Sequence, residues 1–149
     1  MRYLTASDTT YIIECQYNGP GLSEAEMDDF FAFAAQADAL YREQADPALL
    51  LLARRLNRDL LSDRPLGRRY LYVRVTQKEP RDILYFTPGV TLQCNLDDGS
   101  FSIAPEAVYT GYADWELRAR VFLLFGPAGT EFGEKPSKGR LELMARRFF

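Results

Sequence analysis

Histidine is absent from this 149-residue sequence. Its absence removes the commonest general base, the commonest metal ligand and every Ser-His or Cys-His nucleophile pair. Cysteine occurs only at Cys15 and Cys94, too few for a thiolate zinc site, so neither metal nor cofactor is expected. Acid-base chemistry by Asp, Glu, Lys or Tyr stays open, but no cluster singles out catalytic residues, and an enzyme is not expected. Charge of one sign is also lacking: 18 basic side chains stand against 21 acidic ones, a net charge of −3. That balance gives no electrostatic case for a polyanion, and nucleic acid is not an expected partner. Long apolar runs are missing as well. The longest aliphatic stretch, Ala48 to Ala53, is far shorter than the ~18 residues a membrane-spanning helix requires. The opening segment MRYLTASDTT has no apolar core of the kind a secretory leader needs.

What is present is a hydrophobic content of 47%, enough for a folded chain, at a length that suits one domain spanning residues 1–149. Residues 22–63 form a helical block within it. Ser23 and Glu26 make a capping box, and Glu24, Glu26, Asp28 and Asp29 crowd the positive end of a helix dipole. Met27, Phe30, Phe31, Ala34, Ala37 and Tyr41 follow at helical spacing, predicting a helix over about 24–43. Asp46 and Pro47 start a second helix, whose stripe is Leu49, Leu52, Ala53, Leu56 and Leu60. The pair reads as a helical hairpin inserted between the second and third strands.

Everything else alternates with period two, the strand signature. In ILYFTPGVTLQCNLD, residues 83–97, Leu84, Phe86, Pro88, Val90, Leu92, Cys94 and Leu96 share one face. Polar residues take the other. The same parity separates Tyr11, Ile13, Cys15 and Tyr17 from Glu14 and Gln16, and Leu71, Val73 and Val75 from Arg74. Phe101 to Tyr109 and Trp115 to Phe125 repeat it, as does the end of the chain, GRLELMARRFF. With RYLT at the start, the fold class expected is mainly β: an antiparallel up-and-down meander of about seven strands.

A one-sided apolar strand arises in two ways. In a soluble barrel or sandwich the apolar face points inward; in a transmembrane β-barrel it points to lipid and the polar face lines the lumen. Aromatic residues of the apolar parity gather near strand ends, at Tyr11, Tyr17, Phe86, Phe101, Tyr109, Trp115, Phe125 and Phe149. Such girdles suit membrane interfaces. The opposite parity carries Glu14, Arg74, Glu106, Glu116, Arg118, Arg120, Glu142 and Arg146, candidate lumen-lining residues or a structural salt-bridge lattice. Short connections (SDT, KEPRD, YADW) alternate with long ones, as periplasmic turns alternate with extracellular loops in such barrels.

A last strand of alternating apolar residues that ends on phenylalanine resembles the C-terminal strand of Gram-negative outer-membrane β-barrels. With YLYVRVTQKEP and residues 83–126, it looks like the closing part of a porin-like proteobacterial barrel. The resemblance implies an outer-membrane location, a lipid bilayer and the outer-membrane assembly machinery as partners, and 22–63 as an extracellular loop or plug. Seven strands without a leader lead us to expect the C-terminal part of a longer barrel, or a start at an internal Met. Two features depart from the pattern. Arg147 takes a lipid-side position, where its head is expected to snorkel, and Pro88 and Pro105 predict bulges or edge-like pairing.

The expected function is thus a barrel segment that lines a passage for small polar solutes, or serves as a surface or structural membrane protein. The alternative is a soluble barrel that binds a small apolar ligand under a helical lid. Cys15 and Cys94 share the apolar parity on strands that are not sequence neighbours, so two free, lipid-facing thiols are expected rather than a disulfide.

Overall fold

The computed structural model of the chain describes residues 1–61 and 65–149, with the side chains of 60 and 61 outside that description. Seven strands form one sheet in sequence order: β1 (Arg2–Leu4), β2 (Thr9–Tyr17), β3 (Arg69–Gln77), β4 (Phe86–Asn95), β5 (Phe101–Tyr109), β6 (Trp115–Phe125) and β7 (Gly139–Arg147). Every neighbouring pair is antiparallel. Two helices, α1 (Glu24–Gln44) and α2 (Ala48–Leu61), lie between β2 and β3. The expected meander with its helical insertion is therefore the observed architecture. Among the described residues β1 and β7 are the two edges of the sheet and do not pair with each other.

The helices begin where their caps dictate. The Ser23 hydroxyl accepts from the Glu26 amide at 3.5 Å, while the Glu26 carboxylate accepts from the Ser23 amide at 2.8 Å, so two orphan donors of the first turn are satisfied. Helix α1 stops at Ala45, which turns left-handed (φ 55°) as its amide donates to the Tyr41 carbonyl. Asp46 then accepts from the Ala48 amide at 2.9 Å and starts α2. The stripe expected on α2 buries only Ala53; Leu49, Leu52 and Leu56 stay exposed. Leu60, the last of that stripe, and the expected hairpin limit at 63 lie outside the described side chains and residues.

The helical block is stitched to one end of the sheet. Leu22 bridges Gly67, and the chains run so close that a side chain on Gly21 would lie 2.1 Å from the Gly67 carbonyl. Met27 of α1 is buried with its sulfur 3.9 Å from the Asn95 amide nitrogen at the end of β4. Because the strands alternate in direction, this end also carries the connections 96–100 and 126–138. The connections 5–8, 78–85 and 110–114 share the opposite end; because 78–85 is longer than 96–100, the expected alternation of short and long connections does not hold at every pair.

The structure corrects four details of the sequence reading. Strand β4 starts at Phe86, not Ile83: Asp82 and Tyr85 take left-handed conformations, which turn Ile83 and Leu84 out of the sheet. Its other end is Asn95, so Leu96 belongs to the following turn. Phe149 lies beyond β7 instead of on it. No bulge forms at either proline, because each pair keeps one register throughout. Pairing with β6 lapses at Ala104 and Pro105, and pairing with β3 stops at Gly89, just before Pro88. Each proline, which has no N–H to give, thus sits where one ladder is interrupted.

Candidate functional site: the charged face of the sheet

Strand pairing sorts the side chains into two faces. Cys15, Leu71, Cys94, Phe101 and Phe125 lie in one row across β2 to β6. Thr10, Thr76, Gly89, Glu106, Arg120 and Glu142 form a row on the opposite face, across β2 to β7. Of the two, the apolar face is the more open. Leu143 is 74% exposed, Leu141 62% and Trp115 39%, whereas Ala104 and Glu106 of the polar face are buried. No helix covers the apolar face at Leu117, Leu123 or Phe125, all exposed.

The expected aromatic residues fall into two levels. Phe101 and Phe125 pair across β5 and β6 and stack at 5.0 Å near the helical end, the end Tyr17 also occupies. Near the opposite end lie Tyr11, which pairs with Tyr3, and Phe86, which pairs with Tyr109, together with Trp115. Phe149 joins that level from outside the strand: the Arg147 guanidinium lies 5.0 Å from its ring centre and 5.9 Å from that of Trp115. Arg147 thus sits among aromatic rings at the strand end, where its apolar stem and charged head can both be accommodated.

On the polar face, Glu106 of β5 is the centre of an ion triad. Arg120 of β6, its direct cross-strand partner, donates to one carboxylate oxygen from Nε at 3.1 Å and from Nη2 at 2.5 Å. Arg74 reaches the other oxygen from β3, two strands away. The Glu106 side chain is only 2% exposed, against 35% for Arg74 and 26% for Arg120. The carboxylate is therefore the buried member and the guanidiniums are its partly solvated covers. Gly89, opposite Glu106 on β4, leaves room for the arrangement.

The other expected lumen residues join this centre unevenly. Arg118 bonds Glu116 at 3.1 Å on its own strand, and its Nε is buried without a partner among the described residues. Glu142 pairs with Arg140 at 2.6 Å, a residue whose position facing Phe122 across the strands became evident only in the sheet. The Arg140 and Arg120 guanidiniums lie 4.7 and 5.5 Å from the Phe122 ring centre. Glu14 and Arg146 are exposed and make no ion pair among the described residues.

A second polar cluster, not foreseen from the sequence, closes the helical end. Glu131 of the 126–138 connection accepts from the Tyr70 hydroxyl, from Asn95 Nδ2 at 2.9 Å and from the Leu66 amide at 3.3 Å. Tyr70 in turn accepts from the Gly67 amide at 2.5 Å, and the Glu131 amide donates to Asp98 at 2.7 Å. Asp97 accepts from the Arg68 and Arg69 amides and from Arg69 Nε. Burial pushes the Asp97 carboxyl up, but the Arg69 guanidinium and the two amides outweigh it and hold it below its ordinary value. The Glu26 carboxyl is likewise held low, by the Ser23 amide and hydroxyl and then by Arg68.

Among the described residues no group of His, Cys, Asp and Glu side chains is placed to hold a metal ion, and no helix is long and apolar enough to cross a membrane, which says nothing of strands. Cys15 and Cys94 are both free. No family model matches the sequence, and no match to a curated protein or a solved structure is found. The functional reading stands on the chain's own geometry.

Proposed function

We propose that this chain is a wall segment of an outer-membrane β-barrel, with the apolar face toward lipid and the charged face toward an aqueous lumen that passes small polar solutes. The observation that carries the reading is the inversion of ordinary soluble packing: the apolar parity is the open face, while the carboxylate of Glu106 is shielded on the other. Strand length supports it. Strands β2 to β7 are 9 to 11 residues long, and roughly 9–11 tilted residues cross a bilayer core. The aromatic levels at both strand ends fall where girdles meet the two interfaces. On this reading the helical hairpin is an extracellular loop or plug, and the assembly machinery of that membrane receives the chain. The alternative of a soluble barrel around an apolar ligand requires the apolar parity to be the shielded one, and the exposures run the other way.

The native thiols test the proposal. Cys15 and Cys94, each kept in turn with the other replaced by serine, carry a nitroxide in liposomes, and Gln93→Cys carries one on the opposite parity. The expected result is high oxygen and low nickel-chelate collision rates at the two native positions, and the reverse at 93. Equal nickel access at 93 and 94, or failure of the chain to enter the bilayer, overturns it.

A further inference from the structure

Between the two helices and the 126–138 connection lies a cavity of about 430 Å³, within the size range of small-molecule sites. Phe30 and Phe31, packed edge to face at 5.3 Å, supply one wall from α1. Leu50 and Ala53 of α2 and the buried Leu66 extend that apolar lining. The cavity does not use the charged face of the sheet, and nothing in its construction depends on which solvent meets the apolar face.

Four charged side chains reach it, and they are unequally engaged. Glu131 is buried and its two oxygens are taken by Tyr70, Asn95 and the Leu66 amide. Glu134 turns one oxygen back to the Gly129 amide at 2.8 Å. Arg54 and Lys135, from α2 and from the facing connection, line the same cavity. Neither is in an ion pair among the described residues. The donors that remain for a ligand are two cations and the Asn57 amide.

We propose that this cavity is a binding site for a small aromatic carboxylate, whose ring packs against Phe30 and Phe31 and whose carboxylate is held by Arg54 and Lys135. An apolar chamber with a few converging polar groups is the general form of such sites, and Arg offers a carboxylate two parallel donors where Lys offers a point charge. A neutral or cationic analogue of the same ring leaves both cations unanswered and is discriminated against.

The probe is 4-fluorophenylacetate, observed by fluorine NMR against the full chain in lipid nanodiscs, with empty nanodiscs as the blank. 4-Fluorophenylacetamide and 4-fluorophenethylamine are its neutral and cationic counterparts. Saturable broadening of the acid alone is expected, weakened about tenfold or more in Arg54→Gln, at an exposed position, and in Lys135→Gln, at a half-buried one, with the far-ultraviolet circular dichroism of each variant matching that of the wild type. Ala53→Phe, which fills the cavity, is expected to abolish it. Equal binding of all three probes, binding of the acid unchanged in both charge variants, or no binding above the blank overturns the proposal. Nitroxide accessibility at Cys94, on separately labelled nanodisc samples, reports on the membrane reading; where that reading fails, the same titration is read on the full chain in detergent-free buffer, so either can fail while the other holds.

Discussion

Gly89 and Glu106 face each other across β4 and β5, and a Cβ built on the glycine would lie 3.3 Å from Glu106 Cγ and 2.8 Å from Thr76 Cγ2. The empty position lets a carboxylate on one strand be shared by an arginine beside it and another two strands away. Strands alone, about 4.8 Å apart, would leave Arg74 and Glu106 out of contact unless long side chains lean across the gap. Thr91 is the direct β4 neighbour of Arg74, and Gly89, in the adjoining row, keeps the space beside the Glu106 side chain clear for the diagonal contact.

Gly89→Val is therefore expected to displace the Glu106 side chain and open the Arg74 contact. The cost in unfolding free energy should be about 1–3 kcal/mol, typical of overpacking a filled position. Glu106→Gln should cost a similar amount by leaving two guanidiniums facing each other, less than the ~3–5 kcal/mol of a fully buried broken pair because both arginines keep some water. Combining the two changes should cost clearly less than their sum, since both break the same contact. Denaturant midpoints of the three variants in one lipid or detergent system measure this, and strict additivity would mean that Gly89 acts elsewhere.

Tyr70→Phe removes a hydroxyl that donates to Glu131 and accepts from Gly67. Two buried polar groups lose a partner, for an expected loss of about 2 kcal/mol. The 126–138 connection should then release locally. Hydrogen exchange at the Gly67 and Glu131 amides and proteolysis within 126–138 should both accelerate, with exchange in β4 and β5 little changed. Unaltered exchange at both amides would show that the loop is held without this bond.

Much of this could be read directly from the chain. Parity alone separates the faces of β2 to β7, and Ser23 with Glu26 marks the start of α1 because the capping box is local chemistry. The Glu131 cluster was not legible. Tyr70, Asn95 and Glu131 are far apart in sequence, and a lone acidic residue in a Gly- and Pro-rich connection has no periodicity to betray a buried role. Arg140 was missed for a related reason, since its place over Phe122 depends on the β6–β7 register. The early start given to β4 has a different cause: alternation continues through Ile83 and Leu84, while the left-handed turn is made by Asp82 and Tyr85 without a glycine to mark it.

The Asp97 carboxyl gives the fold a dependence on acid. Its folded value lies below the ordinary one, so the stabilisation it brings is complete above the ordinary aspartate range near pH ~4. It is lost as the pH falls through the folded value, when the proton displaces the Arg69 guanidinium and the two amides. Unfolding measured from pH 7 down to 2 should show a loss in the wild type that is smaller in Asp97→Asn. Parallel pH profiles for the two proteins would remove Asp97 from the account.

Ala45 ends α1 in a left-handed conformation that an L-residue adopts at a cost of about 1–2 kcal/mol. Glycine is free of that penalty and loses part of the gain to its greater unfolded-state entropy. Ala45→Gly is expected to raise stability by about 0.5–1 kcal/mol, read from the denaturant midpoint. A decrease would imply that the Ala45 methyl packs more usefully than its exposure suggests.

Ala119 separates the membrane reading from a solvated sheet most directly. It lies on the exposed apolar parity of β6, between Ala107 and Leu143 in its row and away from both aromatic levels. In water an arginine at such a position touches nothing that it would disrupt, and a change within about 0.5 kcal/mol is expected. In a bilayer the same side chain must carry its charge into hydrocarbon, at about 2–4 kcal/mol near the midplane and close to zero at the interface. Leu117→Arg, one step nearer the end where Arg147 already sits among aromatic rings, should therefore cost less than Ala119→Arg in liposomes. That order is the opposite of what the size of the lost apolar side chain predicts, because leucine gives up more apolar area than alanine. A penalty at Leu117 larger than that at Ala119 would place the sheet face in water.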